Sequence, residues 1–87
     1  MSWRLVFSRK ALKDAKKLKR AGLKDQTNRQ LEILKQNPYQ TPPPYEKLVG
    51  ELTGLYSRRI NIHHRLVYQV VEQEKTVKIL RIGTHYK

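Results

Sequence analysis

The sequence predicts an α+β fold, with two N-terminal helices packed on one face of a small antiparallel sheet in the order β-α-α-β-β-β. Three observations predict it. Apolar residues recur at helical spacing through the first half, between Ala11 and Leu34. Short runs rich in β-formers occupy residues 3–7, 55–62, 66–71 and 76–82. Between the two regimes stands Pro42-Pro43-Pro44, which neither a helix nor a central strand accommodates. With 87 residues the expectation is one domain, 1–87, with one modest core.

Each element has its own justification. In Trp3-Arg4-Leu5-Val6-Phe7, period 2 puts Trp3, Leu5 and Phe7 on one face and Arg4 and Val6 on the other. Ser8 is placed to cap a helix whose buried stripe is Ala11, Leu12, Ala15 and Leu18, with Gly22 as the stop. A second helix is expected from about Leu23 to Gln36, burying Leu23, Thr27, Leu31 and Leu34, widened by Ile33, and ended by Asn37-Pro38. Tyr39 to Pro44 reads as a stiff, extended loop that delivers Tyr45 and Glu46 to a fixed place. In the next strand Tyr56, Arg58, Ile60 and Ile62 share one face, and Leu55, Ser57, Arg59 and Asn61 the other. Leu66–Val71 and Thr76–Ile82 follow, joined by the polar connection Glu72–Lys75, as in a hairpin.

Charge narrows the partners. Nineteen Lys and Arg against seven Asp and Glu give +12. Residues 1–37 hold +8 of it, and the run Arg9–Lys24 has eight basic residues against Asp14 alone. The dense cluster of Arg9, Lys10, Lys13, Lys16, Lys17, Lys19 and Arg20 is the footprint expected for docking on RNA, the plainer reading being a solvated helix face. With no cysteine there is neither a disulfide framework nor a thiolate metal site. Apolar runs such as Leu5-Val6-Phe7 fall far below the roughly 20 residues that span a bilayer. A soluble, cytoplasmic protein with a polyanionic partner and no membrane contact is expected.

No phosphate loop, HExxH pair or nucleophile elbow is present. His63 and His64 are adjacent, so extended chain sends them to opposite sides and makes them a poor chelating pair. Glu46 is one of few acids in a basic chain, and Arg58, Arg59 and Arg65 lie in strands, where a guanidinium is costly unless it reaches water or an anion. A carboxylate, arginines and a histidine are the parts needed for metal-free RNA cleavage. They supply a base for the 2′-hydroxyl proton, cations for the phosphate oxygens, and an acid for the 5′-oxygen. Reference pKa values of about 4.3 for Glu and about 6.5 for His suit those roles after modest shifts. Arg59 and Arg65 share a sheet face only if the turn between them leaves an odd number of unpaired residues, such as Ile62–His64 or Asn61–His63.

Four segments carry a resemblance: Glu46-Lys47-Leu48, Leu52 to Ile60, His64-Arg65-Leu66-Val67-Tyr68 and His85-Tyr86. Together they resemble the YoeB/Txe-type toxins of the RelE superfamily, and the resemblance covers about half the chain, from Glu46 to Tyr86. The N-terminal half resembles that family in layout only. The resemblance implies a ribosome-dependent endoribonuclease that cuts mRNA in the ribosomal A site and is held inactive by a YefM-like antitoxin, with self-association of the free toxin open. It implies Glu46 as general base, His85 as general acid, Arg65 as phosphate stabiliser, Arg59 in support, and Tyr86 positioning the nucleotide. It implies neither metal nor cofactor, and products ending in a 5′-hydroxyl and a 2′,3′-cyclic phosphate or 3′-phosphate. Arg58 and Lys47 join the expected substrate contacts. The chain departs from the family where Val49-Gly50 follow Leu48 in place of a basic or polar residue, and in its extra Lys87. Two other classes stay open: a non-catalytic toxin of the same superfamily that binds a protein, as the ParE-type gyrase poisons do, and a basic RNA-binding module.

Overall fold

A computed structural model describes residues 2–50 and 53–83. The elements are β1 (Arg4–Phe7), α1 (Arg9–Arg20), α2 (Lys24–Gln36), β2 (Tyr45–Lys47), β3 (Tyr56–Arg59), β4 (Arg65–Val71), a 3-10 turn (Glu72–Glu74) and β5 (Thr76–Gly83). The five strands form one sheet in the order β1-β5-β4-β3-β2. Two departures from the expected layout follow. β2 is an additional strand, three residues at the sheet edge, too short to show any alternation of its own. The sheet is also not wholly antiparallel, because β1 runs parallel to β5, from Arg4 opposite Thr76 to Phe7 opposite Ile79. A parallel pairing needs a long crossover, and both helices with β2–β4 supply it.

The helix pair is punctuated as its sequence demands. Ser8 Oγ accepts a hydrogen bond from the Ala11 N–H and donates one to the Leu80 carbonyl, so the cap of α1 also ties it to β5. At the other end Gly22 takes a φ of 78°, the Leu23 N–H reaches the Leu18 carbonyl and the Gly22 N–H the Lys19 carbonyl. That paired closure satisfies carbonyls the helix leaves open and turns the chain into α2. Leu34, Leu18 and Ala11 from the helices pack with Trp3, Leu66, Tyr68, Val77, Ile79 and Ile82 in the core.

Two apolar residues stand apart from the expected pattern. Leu12, expected on the buried stripe, is 53% exposed, because it lies at the outer margin of the α1 contact. Its place on the core side is taken by Asp14, which is buried. Ile62 is exposed because β3 ends at Arg59 and Ile62 sits in the hairpin turn. In the proline segment the Thr41–Pro42 and Pro42–Pro43 peptide bonds are cis. Among the described residues no helix is long and apolar enough to cross a membrane.

Candidate active site

Register assembles the site. Glu46 on β2 is the partner of Ser57 on β3, Ser57 is the partner of Val67 on β4, and Arg59 is the partner of Arg65. Direct partners project to the same side, so Glu46, Ser57, Val67, Arg59 and Arg65 share the sheet face that alternates with the core residues Leu66 and Tyr68. The odd-loop condition is met. Beyond the Arg59–Arg65 pair, the Ile60 N–H donates to the His64 carbonyl, leaving Asn61–His63 as the turn. Asn61 Oδ1 holds that turn by accepting from the His63 and His64 N–H groups.

Glu46 and Arg65 are two strands apart, yet Glu46 Oε2 lies 4.0 Å from an Arg65 guanidinium nitrogen. On β3, between their two strands, Glu46 has the small, buried Ser57 as its direct partner and Arg65 has Arg59. Pro44, Glu46, Ser57 and Arg59 line a cleft of about 170 Å³. Both members of the ion pair keep water access, at 39% exposure for Arg65 and 60% for Glu46. An acceptor carboxylate thus stands beside two guanidinium groups on an open surface, where a phosphodiester can be gripped by the arginines and presented to the carboxylate.

The other expected site residues are distributed differently. His85 and Tyr86 lie outside the described residues. β5 is described to Gly83, whose register partner is Arg65. Lys47, exposed like Glu46, is paired with Tyr56 and so projects to the opposite side of β2 from Glu46. Arg58 is corrected outright: it is 1% exposed and turned to the core side, so it cannot meet substrate. Its Nε donates to Tyr68 Oη, and its two terminal nitrogens donate to the carbonyls of Pro38, Gln40 and Pro43. Burial pushes the Tyr68 phenol up to about 12, although Arg58 beside it acts in the other direction.

All seven basic residues expected to dock RNA, from Arg9 to Arg20, are exposed on α1. The residue missed among them is Asp14. Its Oδ2 accepts from Arg81 Nε and from the Ile82 N–H, both at 2.9 Å, and so fixes the end of β5 against α1. Burial alone would raise its pKa, but these two hydrogen bonds and the charges of Arg81 and Lys17 hold it below the usual carboxylate range. The signal was in the sequence, since Asp14 lies three residues after Ala11 and four before Leu18, on the apolar stripe. A cleft of about 300 Å³ opens beside it, lined by Lys17, His64, Arg81 and Gly83 among others.

Two helices against a five-stranded mixed sheet, with a carboxylate and paired arginines on the open face, define a small α+β toxin of the RelE superfamily. Residues 5–87 match the family described as ParE toxin of type II toxin–antitoxin systems, and the chain belongs to that family. It is similar to a YoeB/ParE toxin from Agrobacterium tumefaciens, with a TM-score of 0.85, 27% identity and coverage of 95% of this chain and 99% of that one. It is similar also to the toxin in the YoeB–YefM complex from Staphylococcus aureus, with a TM-score of 0.80, 34% identity and coverage of 97% and 98%. A curated Toxin YoeB of Mycobacterium bovis is 40% identical over 53 residues, which span 61% of this chain and 60% of that relative.

Proposed function

We propose that the protein is a ribosome-dependent endoribonuclease that cleaves mRNA and stops translation. The observation that carries this reading is the placement of the Glu46 carboxylate 4.0 Å from the Arg65 guanidinium, with Arg59 opposite Arg65 on the same open face. Glu46 takes the proton of a ribose 2′-hydroxyl, and the 2′-oxygen forms a bond to phosphorus. Arg65 and Arg59 hold the phosphate oxygens as negative charge builds. The bond from phosphorus to the 5′-oxygen breaks, and His85 protonates that oxygen while Tyr86 positions the nucleotide. The products are a 2′,3′-cyclic phosphate and a 5′-hydroxyl. Neither metal nor cofactor enters these steps.

The exposed basic face of α1 supplies sequence-blind docking on ribosomal RNA. A cytoplasmic site of action follows from that target. The S. aureus relative is found in complex with YefM, and is also solved as a dimer. A YefM-like antitoxin and a homodimer are proposed for this chain on that basis.

Primer extension on translated mRNA tests the reading. The parent is expected to cut within translated codons when ribosomes are present, and Glu46→Gln and His85→Gln to abolish cutting with the fold intact. Variants as active as the parent would overturn the roles of base and acid. The family description as ParE toxin favours a second reading, a poison that binds a protein and does no chemistry. A parent that leaves mRNA uncut on ribosomes would overturn the first reading in favour of a binding one.

A further inference from the structure

Arg58 is the largest fully buried side chain among the described residues, and none of their carboxylates forms a salt bridge with it. Burying a guanidinium without a counter-charge is unfavourable, and an apolar residue of similar volume is usually at least as stable. Here the cost is offset by neutral acceptors. Pro43 O stands at 2.7 Å, Gln40 O at 2.6 Å, Pro38 O at 3.0 Å and Tyr68 Oη at 3.2 Å. The Tyr45 ring adds its face, with its centroid 5.0 Å from the guanidinium carbon. Tyr68 in turn donates to Pro38 O.

The segment so gripped holds its first residues by bonds from Tyr39 and Gln40 to Asn37, but its prolines supply few backbone donors. Pro38, Pro42, Pro43 and Pro44 have no N–H to donate, while their carbonyls still need donors. Arg58 brings three of the segment's carbonyls onto one planar group. It is also the register partner of Tyr45, the first residue of β2, so the same residue holds the loop and opens the strand. Because strand neighbours alternate, a Tyr45 held against the core side presents Glu46 to the open face.

We propose that Arg58 is a positioning residue for Glu46: by collecting the carbonyls of Pro38, Gln40 and Pro43 it fixes the start of β2 and hence the carboxylate beside Arg65. The proposal rests on the reading of Glu46 as the base. A lysine cannot reproduce it, since an ammonium lacks the rigid planar fork that spans three acceptors.

The test compares the full-length parent with Arg58→Met and Arg58→Lys by single-turnover cleavage on ribosomes, by ribosome binding, and by amide hydrogen exchange. The expected result is a rate loss of about 10- to 100-fold in Arg58→Met, of the size that misplacing a catalytic group causes, with ribosome affinity retained. Arg58→Lys is expected to lose rate too, though less. Exchange protection should fall at residues 45–47 and 56–58 while β4 and β5 stay protected. Parent-like cleavage in Arg58→Met, or protection lost evenly over the whole sheet, would overturn the proposal. If Arg58→Met does not fold, Arg58→Lys decides by the same readouts. A parent that does not cleave would fail the functional reading alone, and the exchange pattern would still decide whether Arg58 fixes β2.

Discussion

Arg59 and Arg65 face each other directly across β3 and β4, two guanidinium groups in register on one side of the sheet. Like charges so placed cost about 0.2–1 kcal/mol relative to neutral pairs, and Glu46, more than half exposed, offsets little of it. The open face is therefore arranged at the expense of stability. Arg59→Thr, a strand-forming replacement, is expected to raise the melting temperature by about 2–4 °C while lowering cleavage. Added inorganic phosphate should raise the melting temperature of the parent more than that of the variant. Calorimetry with and without phosphate checks both; a lower melting temperature in Arg59→Thr would show that the pair is not repulsive.

Asp14 gives stability a pH dependence. Its folded pKa lies below its unfolded value of about 3.9. Its contribution is therefore complete above the unfolded pKa and is lost as pH falls through the folded one. Asp14→Asn is expected to cost about 1–2 kcal/mol near pH 7, the lower end reflecting the 41% exposure of Arg81. The gap between parent and variant should stay level above about pH 5 and narrow below about pH 4. Urea unfolding at a series of pH values measures it, and a gap that widens in acid would contradict the assignment.

The docking role proposed for α1 predicts a salt signature. Replacing Lys13, Lys16 and Lys17 by Gln should weaken ribosome binding and flatten the plot of log affinity against log salt by about 0.7–0.9 for each phosphate contact removed. Sedimentation with ribosomes over a range of salt gives the slope. An unchanged slope would reduce these lysines to a solvated helix face.

Ser8 joins α1 to β5 through one hydroxyl, so its loss is felt twice. Ser8→Ala removes the bond from the Ala11 N–H and the bond to the Leu80 carbonyl. About 1–2 kcal/mol is expected, or a melting temperature lower by about 5–10 °C. Faster exchange of the Ala11 amide would separate the cap from a general weakening.

Helix limits and the capping serine were legible in the sequence, because each is local; for Arg59 and Arg65 only the parity condition was legible, and the Asn61–His63 turn met it. The side chosen by Arg58 was legible too. Alternation groups it with Tyr56 and Ile60, which marks the apolar face, and its assignment to substrate overlooked that grouping. Asp14 carried the same kind of signal on the α1 stripe. β2 was not legible, since three residues after a proline run have no pattern, and β3 supplies their hydrogen bonds. Nor was the direction of β1, because a short strand fixes which side chains are buried and not which neighbour it joins.

That last pairing has a kinetic side. The hydroxyl of Ser8 meets a carbonyl 72 residues further along, and all of β1 lies against β5. Closing a loop of that length must precede any return from the contacts it makes, and topologies dominated by such closures fold slowly. β1 thus leaves the ribosome well before the strand it pairs with, and until β5 has been synthesised its edge stays unpaired.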